Sequence, residues 1–178
     1  MSHKLQFGQW VAFPLEYVFA FFSNPRNLPR IMPPRIDTKI VRIDRVPPPV
    51  ADGTSSNLAA GVGSVIVTSF RIFPPLPFRA QWIARIVEFE WNHHFADVRD
   101  DVQDEGPFRS WHHRHEFIAQ TRDGVAGTLV RDTVEYEVGF GVLGRIANQL
   151  FVTRHMRRTF LARQRVLESL LRPQAYRG

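Results

Sequence analysis

The chain contains no cysteine, which excludes disulfides, thiolate metal sites and a cysteine nucleophile. It has no apolar run long enough to span a bilayer. Its first residues, MSHKLQFGQWVAF, alternate polar and apolar side chains where a signal peptide would be continuously apolar. A soluble, cytoplasmic protein is expected. No Walker loop, dinucleotide fingerprint or Ser-His-Asp arrangement occurs, and no internal repeat divides the chain. What is plentiful is aromatic: 15 Phe and 4 Trp in 178 residues, enough large rings to build a core or the wall of a cavity. The length suits one domain over residues 1–178 with a real core.

Charge is balanced except in one segment. Between Leu143 and Arg172 there are seven Arg (Arg145, Arg154, Arg157, Arg158, Arg163, Arg165 and Arg172) and one acid, Glu168, so this segment accounts for the whole net charge of +6.

The order of elements follows from hydrophobic period. Leu5, Phe7, Val11 and Phe13 alternate as in a half-buried strand. Pro14 suits a first helical turn, Leu15, Val18, Phe19 and Phe22 follow at helical spacing, and Asn24-Pro25 ends that helix. The segment NPRNLPRIMPP permits at most one more short helix. Strands are expected at Ile36–Arg45, Val62–Ile72, Arg79–Phe89, His94–Val102, Arg109–Gln120 and Gly127–Val138, separated by turn-rich stretches such as PPPVADGTSSNLAAG and FPPLP. After Gly144 the period becomes 3.6, with Val152, Met156, Phe160, Leu167 and Leu171 on one stripe. Helix as far as Leu171 would run for roughly 43 Å, with a break near Phe151–Thr153 where the apolar phase shifts. Arg154, Arg157, Arg158, Arg165 and Arg172 fall on the outward side, whereas Arg163 falls inside the apolar stripe. This is an α+β pattern: a seven-stranded antiparallel sheet whose apolar face only the long C-terminal helix can cover. Incomplete coverage would leave a cavity suited to a small molecule.

Period-2 alternation places Trp111, His113, His115 and Phe117 on one face of their strand. Asp132, Val134, Tyr136 and Val138 share a face on the next strand, and Phe95 and Asp97 on the one before. Two imidazoles and two carboxylates thus fall among aromatics on the concave side, where they require partners. They would form a closed polar network, face a ligand, or supply acid–base chemistry. The candidate ligand-binding residues are Asp97, Trp111, His113, His115, Phe117, Asp132, Tyr136, Phe160 and Arg163, and the candidate catalytic residues are His113, His115 and Asp132. An inward guanidinium is costly alone, so Arg163 is expected to meet Asp97, Asp132 or an anionic head group, or else to snorkel to water. His113-x-His115 has the spacing of a metal pair, but no further ligand is clearly spaced, and neither metal nor cofactor is expected. His93-His94 read as ordinary surface residues. The outward Arg suit an anionic partner or a solvated face; no nucleic-acid motif accompanies them, and a homodimer stays open.

Several pieces together resemble the SRPBCC superfamily of START-like lipid-transfer, birch-pollen-allergen-like and polyketide cyclase/dehydrase domains. They are Pro14 to Phe19, Asn27-Leu28 through Pro33-Pro34, Phe95-x-Asp97, Gly106-Pro107-Phe108, Trp111-x-His113-x-His115-x-Phe117, Asp132-x-Val134-x-Tyr136 and Phe140-Gly141-x-Leu143-Gly144. The resemblance implies a helix-grip fold with an internal pocket. It does not imply one activity, since the superfamily holds carriers, sensors and enzymes. The reading from the sequence is a binder or carrier of a small hydrophobic or amphipathic molecule. The alternative is a cyclase, aromatase or dehydratase using a His/Asp pair in the same cavity.

Overall fold

The computed structural model of the chain describes residues 2–49, 58–71, 78–99, 108–139 and 152–170. The centre of the long expected loop, the FPPLP turn, Gly106-Pro107, the Phe140–Gly144 motif, Phe151, Arg145 and Arg172 lie outside these residues, and with them most of the expected helix break.

β1 (Ser2–Val11) is followed by α1 (Leu15–Ser23), a single 3-10 turn, the four-residue α2 (Leu28–Ile31) and a second 3-10 turn at Pro34–Ile36. Six strands then run in chain order: β2 (Lys39–Asp44), β3 (Val65–Arg71), β4 (Arg79–Glu90), β5 (His94–Arg99), β6 (Phe108–Arg122) and β7 (Val125–Val138). α3 (Thr153–Leu170) closes the described chain. The strands form one antiparallel sheet in the order β1-β7-β6-β5-β4-β3-β2. The N-terminal strand thus pairs with the last one, and α1 and α2 lie in the crossover between the two sheet edges. Register shifts at Ile40/Arg42, Ile86/Glu88 and Phe108/Ser110 are the bulges that let a sheet bend. This is the helix-grip architecture. No helix among the described residues is long and apolar enough to cross a membrane.

The expected strands are present; the ends expected at Ile72 and at Asp100–Val102 lie outside the described residues, and the shifted starts of β2 and β3 have local causes. β2 begins at Lys39 rather than Ile36 because Pro34–Ile36 forms a 3-10 turn, stopped by Asp37 in the left-handed region at φ 45°. β3 begins at Val65 because Gly63, at φ 89°, makes the turn before it. Pro14 sits one residue before the helix, as its cap residue.

Two apolar clusters hold the layers together. Phe19 of α1 is fully buried, and its ring meets Phe89, Phe95 and Phe117 at 5.5, 6.1 and 5.1 Å between centroids. Below α3, Met156 and Phe160 pack on Leu5, Val134 and Tyr136, with Phe160 stacked on Phe7 at 4.4 Å. Polar ties fix the pitch of α3, among them Gln9 Nε2 donating to the carbonyl of Gln164 at 2.8 Å and Tyr136 Oη 3.0 Å from Thr153 Oγ1. Gln9 occupies the inward face of β1 and is satisfied there by the helix backbone.

At the far end of the sheet the Trp10 ring lies flat against Gly127. A Cβ there would fall 2.4 Å from the ring and 2.5 Å from the Val11 carbonyl oxygen. Trp10 Nε1 donates to the Gln120 carbonyl at 2.9 Å, so the ring spans the β1–β7–β6 corner. Gly127→Ala is expected to lower stability by about 1–3 kcal/mol, the usual cost of overpacking; a urea midpoint equal to that of the unaltered chain would refute this role for the glycine.

Candidate ligand-binding cavity

The concave face of the sheet, the α1–α2 segment and α3 enclose a cavity of about 360 Å³, within the usual range of small-molecule sites. Most of its wall is apolar, with Phe21, Phe22, Leu28, Ile31, Ile86 and Phe160 contributing. Polar side chains also enter it: Asp97, His113, His115, Thr159 and Arg163 reach the cavity from β5, β6 and α3, and Thr38, Arg71 and His155 line it elsewhere.

The histidines arrive by simple alternation along β6. Their neighbours on the other face, His112 and Arg114, turn outward to Glu88. His113 is bracketed by carboxylates, with Nε2 donating to Asp132 Oδ1 at 3.1 Å and Nδ1 3.6 Å from Asp97 Oδ2. His115 Nδ1 lies 2.6 Å from the same Asp132 oxygen as an ion-pair contact, without hydrogen-bond geometry. Cross-strand pairing explains the proximity: Asp97 is opposite His113, and His115 is opposite Asp132.

Burial and charge set the protonation of this group. Burial pushes the His115 imidazole down to about 3, assisted by the adjacent His113, so His115 is neutral at pH 7. Burial alone would raise the Asp132 carboxyl. Arg163, His115 and the imidazole contacts outweigh it and hold Asp132 well below the ordinary carboxylate range. Asp97 moves the other way: burial raises it, and the opposing charges of His113 and Arg163 offset this only in part.

Arg163 is 8% exposed. Its guanidinium sits 5.5 Å from the centroid of the Phe22 ring and 5.8 Å from that of Phe160, a cation–π cradle. It makes no ion pair or hydrogen bond with any described residue. The expected direct contact with Asp97 or Asp132 is absent; both acids are felt only through the field, because Asp132 is taken up by the two imidazoles. Four buried side-chain atoms among the described residues also lack a partner: Thr38 Oγ1, Trp111 Nε1, His115 Nδ1 and Thr159 Oγ1. Trp111 Nε1 acts on the Asp97 charge without reaching hydrogen-bond geometry. All four residues line the cavity.

Of the nine residues selected from sequence, Asp97, Trp111, His113, His115, Phe160 and Arg163 line the cavity. Phe117, Asp132 and Tyr136 do not. Phe117 is buried beneath Phe19 and Phe22, Tyr136 packs under α3 against Phe108, and Asp132 stands behind the two histidines. Sequence reasoning missed the wall formed by Phe21, Leu28, Ile31 and Met32, and the hydroxyls of Thr38 and Thr159. The wall residues were hidden in a proline-broken stretch with no clear period.

Ligand atoms of Asp97, His113 and His115 lie within 4.8 Å of one another and could hold a metal ion. The set is loose for bonds of about 2.1 Å, and the Arg163 charge in the same cavity opposes a divalent cation. The arrangement fits an anion better.

A seven-stranded sheet gripping a C-terminal helix around a cavity defines the helix-grip class. Solved structures share it: a START superfamily protein from Mycobacterium smegmatis (14% identity, 95% of this chain and 97% of that one, TM-score 0.61), truncated norcoclaurine synthase from Thalictrum flavum (15%, 98% and 96%, 0.60), and ginseng major latex-like protein 151 from Panax ginseng (17%, 97% and 99%, 0.59). No curated protein sequence matches the chain. Residues 11–165 match the family described as polyketide cyclase / dehydrase and lipid transport, and the chain belongs to that family. Membership supports a ligand-binding domain.

The neutral His115 leaves a mark on stability. Between pH 6.5 and about 3 the unfolded chain takes up a proton at this residue that the folded chain refuses, so stability falls on acidification, by up to about 1.4 kcal/mol per pH unit. Asp132 has the same sign below its unfolded value, and Asp97 the opposite. His115→Phe is expected to flatten the dependence of the urea midpoint between pH 6.5 and 5, leaving a residual slope from His94 and His155. An unchanged slope would show that His115 titrates normally.

Proposed function

We propose that the chain binds or carries a small amphipathic molecule, its apolar body among the rings of α1, α2 and α3 and its anionic head at Arg163. One observation carries this reading: a buried guanidinium with no ion-pair or hydrogen-bond partner among the described residues faces the same cavity as the unpartnered polar atoms of Thr38, Trp111 and Thr159. An anionic head would satisfy Arg163 and accept from Thr159 and Trp111 while the apolar chain displaces water. The family description, which includes lipid transport, supports this. No cofactor is needed.

A cyclase- or dehydratase-like activity is the second reading. Norcoclaurine synthase, a fold relative, was solved as a point mutant in complex with a transition-state analogue, and the cavity here holds titratable groups. The pairing of His113 or His115 with Asp132 suits it poorly. His113 has a carboxylate at each ring nitrogen, and His115, pushed down to about 3, is a weak base. Asp97 is the better acid–base candidate, because it lines the cavity and its carboxyl is raised by burial. Outside the cavity, Arg154, Arg157, Arg158 and Arg165 are exposed with no ion pair among the described residues, as a docking face for an anionic partner would require.

Titration with a fluorescent fatty acid and the corresponding alcohol tests the leading reading. Arg163→Gln should weaken the acid about 10- to 150-fold, the equivalent of 1.5–3 kcal/mol for a charged hydrogen bond, and leave the alcohol little changed. Equal loss for both, or no binding of either by the unaltered chain, would overturn the assignment of Arg163 to the head group.

A further inference from the structure

The turn joining β4 to β5 carries another set of donors, none of which lines the cavity. His93 Nδ1 and His94 Nδ1 are 2.8 Å apart, and Glu90 Oε2 is 3.2 Å from the first and 3.4 Å from the second. These three atoms form a nearly equilateral triangle. An ion about 1 Å above its plane would sit about 2.1 Å from every corner, the bond length of zinc to imidazole and carboxylate.

The neighbours prepare the donors. Glu88 Oε2 lies 3.4 Å from His94 Nε2, while Nδ1 of the same ring faces Glu90 and His93. A carboxylate behind a ligating imidazole is the usual supporting arrangement of metal-bound histidine. Glu88 is itself fixed by Arg114 and by His112 Nε2 at 3.2 Å.

The turn is also rigid. Asn92 takes the left-handed conformation at φ 56°, and the His93 amide donates to the Glu90 carbonyl at 3.2 Å, while the His93 carbonyl accepts from the Phe117 amide at 2.8 Å. Trp91, beside it, packs on Phe19 and Phe89 and donates through Nε1 to the Pro49 carbonyl at 2.6 Å.

We propose that Glu90, His93 and His94 form a binding site for one borderline divalent transition ion of the Zn²⁺ type, which clips the β4–β5 hairpin. Two imidazoles and one carboxylate favour such an ion over Mg²⁺ or Ca²⁺, which select all-oxygen sites.

Titration of the full chain, free of any histidine tag, with ZnCl₂ and separately with MgCl₂ at pH 7.5 tests this by calorimetry and thermal unfolding. One Zn²⁺ per chain should bind, and Tm should rise with Zn²⁺ and not with Mg²⁺. His94→Ala and His93→Ala should each abolish the effect, and Glu88→Gln should weaken binding about 10-fold. Asp97→Asn and His115→Phe should leave it intact. Binding that survives both His93→Ala and His94→Ala, or that disappears with Asp97→Asn or His115→Phe instead, would overturn the site, as would the absence of any Zn²⁺ effect on the unaltered chain.

Discussion

The Arg163 guanidinium enters the interior from the same face of α3 that carries Met156, Phe160 and Leu167. A buried cation without a partner costs several kcal/mol, and the surrounding structure offsets this indirectly. Two aromatic rings flank it, and a carboxylate ionised well below its usual range lies within reach of its field. That carboxylate, Asp132, is engaged by His113 and His115 and does not close onto the arginine. The two charges stabilise each other at a distance, and the space between the sheet and Arg163 stays open.

That spacing explains why the interior is a cavity. α3 is held to the sheet along one edge, through Phe7, Gln9 and Tyr136. The middle of the sheet is roofed by the proline-broken segment of α1 and α2, which packs through Phe19 on Phe89, Phe95 and Phe117 and is too short to fill the volume beside α3. Large rings line the gap, while Asp97, His113, His115 and Thr159 concentrate polarity near Arg163. Under the proposed function such a chamber would favour molecules that have both characters, because a wholly apolar guest would leave the Arg163 guanidinium dry.

Much of this was legible in the sequence. Helical period placed Arg163 in the buried stripe of α3, and period 2 placed His113, His115, Asp97 and Asp132 on the concave face. Alternation gives the face, however, and not the depth. Asp132 and Tyr136 share the face of the histidines but sit beneath other side chains, and Phe117 disappears under α1. The direct pairing of Arg163 with an acid failed for a related reason: cross-strand register gives Asp132 to His115, and sequence alone does not fix register. His93 and His94 read as ordinary surface residues because their approach depends on a left-handed Asn92, which no hydrophobic pattern records.

The central claim is that the cavity holds an amphipathic anion, and native mass spectrometry tests it most directly. The chain, after exposure to a mixed lipid extract and removal of unbound material, should carry a single added mass. On denaturation that mass should be released as an acid detected in negative-ion mode. A bare chain mass under the same conditions, or adducts confined to uncharged lipids, would contradict the account.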